Sequence, residues 1–249
     1  MNARIPLITP DTGLLPLLST ADKADLAILV QLLNRSSDID LNLYITDGQD
    51  VAREESPLSA HDVAAEIQRS GGNSFANALR GGKGVKYIEV ARDVANRVGV
   101  PLPVHSPVDR IEQAIVRKLF LQAYEPLSLG DRQSVLVSAG IDADRLPPGV
   151  TPMVAIQAAF SMGNFASYQL TLIVTQAVTR HVLGTHVSAS ARTPLARALA
   201  LFSDSIGRIL TCILTAWDIA GPAWRVTLPC VVYVAHLRQK TDLKPRYRR

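Results

Sequence analysis

Apolar residues recur at helical spacing from early in the chain. In LLSTADKADLAILVQLLN they fall at Leu26, Leu29, Val30 and Leu33, behind a Ser19 or Thr20 cap and with Asp22 in the first turn. The period is lost over residues 35–57, where LNLYITDG suggests a short strand or turn. Ser59 and Asp62 have capping-box spacing, so a helix is expected from about 59 to 70, closed by Gly71-Gly72. Asn73 can cap a short helix over 74–80 that Gly81-Gly82 ends, and a longer helix follows from about 84 to 98, before Gly99 and Pro101. Next, SPVD at 106–109 offers a Ser cap, Pro at N1 and Asp at N3. The helix it opens reaches about Tyr124, with Ile111, Ile115, Leu119 and either Val108 or Phe120 facing inwards. SLGDRQSVLVSAG repeats the cap-and-glycine logic over 128–140.

Thr151 to Thr179 contains no Asp, Glu, Lys or Arg. As one helix it would be roughly 43 Å long, enough to cross a bilayer. Its polar residues argue for a weakly amphipathic core helix instead, with Gln157, Ser161, Asn164, Tyr168, Thr171 and Thr175 along one face and Ala159, Ala166, Leu170, Ile173 and Ala177 opposite. After Thr193-Pro194 a further apolar face runs through Leu195, Leu199, Phe202, Ile206, Ile209 and Ile213, with Arg197, Asp204 and Arg208 on the other side. AWDIAGPAWRVTLPCVVYVAHL carries Pro222 and Pro229, which predict short helical pieces rather than one long helix. The fold class expected is all-α: a compact multi-helix domain with short helices joined by Gly/Pro-marked turns.

Within a single predominantly helical domain spanning 1–249, the pattern divides into a helical N-terminal segment with an irregular connection (1–58), a Gly-rich helical subdomain (59–140), an apolar helical subdomain (151–238) and a basic tail (239–249). The chain is long enough for a substantial core. Apolar residues make up 47 % and charged residues 19 %, which excludes general disorder. Six of the basic residues lie in RQKTDLKPRYRR; without that stretch the net charge of +4 falls to about −1. A broad nucleic-acid-binding face is therefore disfavoured, and the basic stretch serves either as a solvated end or as a contact for phosphates or anionic lipid. No clean apolar leader appears among Pro6, Pro10 and Pro16, so a cytoplasmic location is expected, with peripheral membrane contact or signal-free export as alternatives.

Candidate chemistry is sparse. Cys212 and Cys230 stand eighteen apart in apolar segments and read as buried small hydrophobes. His61, His105, His181, His186 and His236 form no ligand motif, and no metal or cofactor is expected. GGKGVK departs from the phosphate-binding loop and GGNSFA from the dinucleotide fingerprint, although Asn73, Asn77, Arg80 and Lys83, with Arg225, could hold an anion or a lipid headgroup. Glu54-Glu55, Asp142, Asp144 and the Glu89/Asp93 pair read as solvated or capping groups, and no GxSxG elbow is present. Phe160, Phe165, Leu170, Ile173, Trp217 and Trp224 are candidates for membrane or partner contact, the tryptophans lying near Tyr233, Arg225 and Arg238.

GGNSFANALRGGKGVKYIEVARDVANRVGV and AWDIAGPAWRVTLPCVVYVAHLR resemble the paired signature regions of the YaaW-like family of uncharacterised bacterial proteins, UPF0174. The first likeness is carried by Gly71, Gly72, Asn73, Ser74, Ala76, Asn77, Leu79, Arg80 and Gly81, the second by Trp224, Arg225, Val226, Thr227, Leu228 and Pro229. The opening LLPLLSTADKADLAILVQLLN is also similar to the helical start of those proteins, whereas SMGNFAS and LFSDSIGRIL are less Gly-rich than the family's penultimate region. The resemblance implies a helical bacterial protein and supplies no activity. Three function classes stand: a non-enzymatic interaction protein that can associate with a membrane, an unknown protein partner or copies of itself; a pore-forming or membrane-disrupting toxin inserting its apolar C-terminal helices; and an enzyme using Asn77, Arg80 or Arg225.

Overall fold

The computed structural model describes residues 9–34, 59–71, 84–184, 198–202, 205–210 and 223–243. All regular structure among them is helical. The α-helices are α1 (Leu15–Ser19), α2 (Lys23–Asn34), α3 (Ala60–Ser70), α4 (Tyr87–Val98), α5 (Val108–Tyr124), α6 (Leu129–Ser138), α7 (Pro152–Met162), α8 (Phe165–Leu183) and α9 (Ala223–Leu243). A 3-10 turn spans Ala143–Arg145, and the backbone at 198–202 and 205–210 is also helical.

Local signals set many boundaries. Ser59 and Asp62 make both bonds of the capping box at α3, and Ser128 caps α6 by accepting from Asp131 N. The start of α5 lies one residue later than SPVD predicts: Pro107 occupies the cap position, with no side-chain cap bond, and its carbonyl accepts from Arg110 N and Ile111 N. The predicted inward stripe of α5 is present, and Phe120 rather than Val108 is the fully buried alternative. Phe120 lies 5.0 Å from Phe202, 5.6 Å from Tyr124 and 5.7 Å from Phe160 between ring centroids, joining α5, α7 and the 198–202 segment.

The charge-free stretch is two helices rather than one. Gly163 takes φ +58°, a left-handed conformation that ends α7, and Asn164 then caps α8 by accepting from Ser167 N. This turn breaks the proposed continuous polar face. Gln157 and Ser161 are exposed on α7, while Thr171 and Thr175 on α8 are buried, together with Leu170, Ile173, Val174 and Ala177. Ser167, Thr171 and Thr175 are short enough to let α8 approach α9, where Thr175 Oγ1 reaches Val232 O at 3.5 Å.

The largest departure from expectation is α9. Pro229 lies inside a 21-residue helix and does not break it. Residues 226–237 are all buried, and α9 packs against α1, α2, α3, α5, α8 and α4. An interior proline costs a helix about 3 kcal/mol, but an apolar segment surrounded by other helices recovers more than that by burial. The helix continues to Leu243, so the 238/239 boundary drawn from charge falls within a helix. No helix among the described residues is long and apolar enough to cross a membrane. That finding removes the support for the toxin alternative, since the residues it would insert, Leu170 and Ile173 among them, fill the core.

Candidate functional site

Two ionic clusters, the first buried and the second partly exposed, tie α9 to the rest of the bundle. In the first, Arg238 meets Glu112 of α5 with two bonds: Nε donates to Oε2 at 2.7 Å and Nη2 to Oε1 at 3.0 Å. The Tyr87 hydroxyl of α4 donates to the same Oε1 at 2.9 Å, and Arg238 Nη2 also reaches Gly13 O at 3.1 Å. Glu112 is 2 % exposed. Burial pushes its carboxyl above the usual glutamate range, while the bonds from Arg238 and Tyr87 pull it back; the net direction is upward. Burial likewise raises the Tyr87 phenol, with the negative charge of Glu112 adding to it. A paired, hydrogen-bonded guanidinium is what makes a carboxylate at this depth tolerable.

In the second cluster, Lys240 Nζ donates to Asp25 Oδ2 at 2.7 Å and Asp22 Oδ2 at 3.0 Å, and the Tyr233 hydroxyl donates to Asp25 Oδ1 at 3.0 Å. Asp22 is held down at about 2 by its bond from the Asp25 backbone N–H and by Lys240. Burial first, and then the charge of Asp25, raise the Tyr233 phenol. Beside it, the buried His236 ring stacks on Tyr168 at 5.4 Å and meets Tyr233 edge-on at 5.9 Å.

Burial lowers the His236 imidazole from its usual value to about 4, with Lys240 adding to that and Asp25 opposing it. A group depressed in this way is neutral in the fold, so its contribution is present above pH 6.5 and is lost as pH falls towards 4. We therefore expect His236 to cost the protein about 2 kcal/mol between neutral pH and pH 5. Denaturant melts of the parent and His236→Gln across that range should show a shallower pH slope in the variant; parallel slopes would remove His236 as the cause.

A cleft of about 200 Å³ opens beside these clusters. Glu112 and Arg238 belong to its wall, with Asp109, Arg110 and Gln113 from α5, Met162, Gly163 and Asn164 from the α7–α8 turn, Tyr168 from α8, and Gln239, Asp242 and Leu243 from the end of α9. Gln113 Nε2 donates to Phe160 O, fixing α5 against α7. At the turn, Met162 is 67 % and Phe165 46 % exposed, large apolar side chains left in water beside a polar cleft.

The structure separates the residues singled out from sequence. Phe160, Leu170 and Ile173 are core residues and offer no surface in this conformation, whereas Phe165 is on the surface. Arg225 is exposed in the first turn of α9, and Trp224 belongs to the same turn. Asn73, Asn77, Arg80, Lys83, Trp217 and Cys212 lie outside the described residues. Cys230 is buried, and burial raises its thiol. Among the described residues no group of His, Cys, Asp and Glu converges as a metal cage.

The residues sequence reasoning missed are Glu112, Asp25 and the pairing of Arg238 and Lys240, whose charges it assigned to the basic stretch. A signal for the acids was present. Glu112 precedes Val116 by four residues and Asp25 precedes Leu29 by four, so each carboxylate lies on the inward stripe of its helix.

The flanks of the Gly-rich segment have a packing explanation. A Cβ on Gly84 would lie 2.1 Å from the carbonyl carbon of Gln68, and one on Gly71 would lie 2.3 Å from Val90 Cγ2. Gln68 is fully buried; its side chain accepts from Thr9 N at 2.8 Å and donates to Thr9 O at 2.9 Å, while Thr9 Oγ1 donates to Gly84 O at 2.5 Å. Gly84 lets its stretch of backbone lie against the end of α3, and Gly71 leaves room for the Val90 side chain.

Fold and site together define an all-helical domain built round a buried, ion-paired helix. A UPF0174 protein of Helicobacter pylori (strain J99) is 34 % identical over 205 residues, covering 80 % of this chain and 76 % of that protein. A second from the same strain is 33 % identical over 182 residues, covering 72 % and 87 %. The UPF0174 protein YaaW of Escherichia coli K12 is 26 % identical over 179 residues, covering 71 % and 70 %. The chain belongs to the UPF0174 family. No family model matches it, and no solved structure does.

Proposed function

We propose that this chain is a non-enzymatic interaction protein that acts in the bacterial cytoplasm by docking the α7–α8 turn onto a partner. The observation that carries the reading is the exposure of Met162 and Phe165 on either side of Gly163-Asn164, in a turn whose residues 162–164 line the cleft. Methionine and aromatic side chains are enriched where proteins meet their partners, which sets these two apart from the exposed Val104, Leu129, Val137 and Val154. The buried charges favour the same reading: Glu112 is committed to Arg238 and Tyr87, and Asp25 to Lys240 and Tyr233, so these groups hold the fold together.

The test is photo-crosslinking in cells with benzoylphenylalanine placed at position 165 or, as a control, at Arg145, whose side chain is 86 % exposed on the 3-10 turn. A discrete adduct from 165 that is missing from 145 is the expected result. Identical products from both positions, or none from 165, would count against the turn as the contact surface.

A further inference from the structure

We infer that Met162 is a reversible oxidation site at which a peroxide turns the α7–α8 turn from an apolar contact into a polar one; this rests on the reading of that turn as the contact surface. Three sulfur-bearing residues fall among the described ones, and they differ sharply in access. Met162 is 67 % exposed, Met153 is partly buried against the core, and Cys230 is fully buried with its thiol pushed up by burial. An oxidant that attacks thioethers and thiolates by encounter therefore meets Met162 first.

The surroundings of this sulfur suit the product as well as the reaction. Met162 ends α7, where Gly163 turns the chain left-handed and Asn164 caps α8. Asn164 Oδ1 accepts from Ser167 N at 3.1 Å, which fixes the amide and leaves its Nδ2 3.8 Å from Met162 Sδ. A thioether is a weak acceptor and a sulfoxide oxygen a strong one, so the Asn164 donor gains a better partner when the sulfur is oxidised. In the step itself a lone pair of Sδ attacks one oxygen of hydrogen peroxide, and the S–O bond forms as the O–O bond breaks. The leaving hydroxide takes the proton from the new oxygen and departs as water; the sulfur gives up two electrons and the peroxide gains them. Two thiols of a reductase reverse the change, closing a disulfide and releasing water. The fold is spared because the Met162 side chain is in solvent, whereas an oxygen on Met153 would set a polar group against the core.

The experiment has two arms, both on the full chain. Purified chain treated with graded hydrogen peroxide and mapped by peptide mass spectrometry is expected to gain an oxygen at Met162 about tenfold faster than at Met153, with far-UV circular dichroism unchanged. In cells, a brief peroxide pulse before illumination is expected to lower the position-165 adduct about fivefold or more in the parent. The same pulse should leave the adduct intact in Met162→Leu, which keeps an apolar side chain and has no sulfur. Met162→Gln, polar at a similar length, should show the low yield without peroxide. Comparable oxidation of Met162 and Met153, loss of helical signal as Met162 is oxidised, a full adduct yield in Met162→Gln, or the same fall in Met162→Leu as in the parent overturns the inference. If the adduct forms and is insensitive to oxidation of Met162, the switch falls and the contact surface stands; if no adduct forms before peroxide, both fall.

Discussion

An Arg238→Met chain should unfold at a much lower denaturant concentration than the parent, with about 3–5 kcal/mol of stability gone. The substitution keeps most of the aliphatic stem and removes both bonds to Glu112 and the bond to Gly13 O. What remains is a carboxylate at 2 % exposure with the Tyr87 hydroxyl as its one bonded partner from this cluster. Most of the cost is that stranded charge. The loss should therefore depend on pH in a definite direction. Burial already raises the Glu112 carboxyl, and without the guanidinium that opposes it the folded-state pKa climbs further. The folded variant then holds a proton at pH values where the unfolded chain has released it, so its stability rises as pH falls through the raised pKa towards the ordinary glutamate value. The gap between parent and variant narrows on acidification. Glu112→Leu combined with Arg238→Met should recover a large part of the loss, because no buried charge is left unpaired. A pH-independent loss, or a double variant as unstable as the sum of the singles, would mean that packing around α9 matters more than the ion pair.

Gly84→Ala is expected to be the second most damaging change, at about 3 kcal/mol. The added methyl would lie 2.1 Å from the Gln68 carbonyl carbon, 2.3 Å from its oxygen and 2.4 Å from Arg69 N. These are backbone atoms, which cannot rotate away as a side chain can. Relief requires moving the start of α4 from the end of α3, which breaks Val85 N to Gln68 O at 3.1 Å and disturbs the Thr9–Gln68 bonds. Gly130→Ala is the matched control: it lies in the first turn of α6 with open space around the new methyl, and should be neutral or slightly stabilising. Thermal unfolding of both variants checks the pair. Similar midpoints would show that the close approach at Gly84 yields without cost.

The sequence was most legible where local rules act alone. The Ser59/Asp62 box, the Ser128 cap and the inward stripe of α5 follow from spacing over a few residues, and each is present in the fold. It was least legible where distant packing decides. Pro229 favours an interrupted helix, yet α9 is continuous because neighbours enclose residues 226–237. Thr171 and Thr175 read as part of one polar face with Gln157 and Ser161 because their hydroxyls look polar, but small size suits them to the contact with α9. Gly163 was visible as a residue and not as a break, since the apolar character continues on both sides of it.

The site was legible in part. Phe165 was singled out as an apolar contact candidate and is exposed; Phe160, Leu170 and Ile173 were singled out with it and are core. Hydrophobicity along one helix cannot tell which apolar face is covered by another. The ionic clusters were harder still, because Glu112 and Arg238 are separated by 126 positions and Asp25 and Lys240 by 215. Only the fold brings them together, although a charge on an inward stripe marks one half of each pair.

Hydrogen exchange on the full chain tests most directly the claim that α8 and α9 are committed to the core while the α7–α8 turn is left at the surface. The account predicts that amides in 170–178 and 230–237 are the most strongly protected and that 162–165 exchange fast. Fast exchange in 170–178 or 230–237, or protection of 162–165 as strong as theirs, would contradict it.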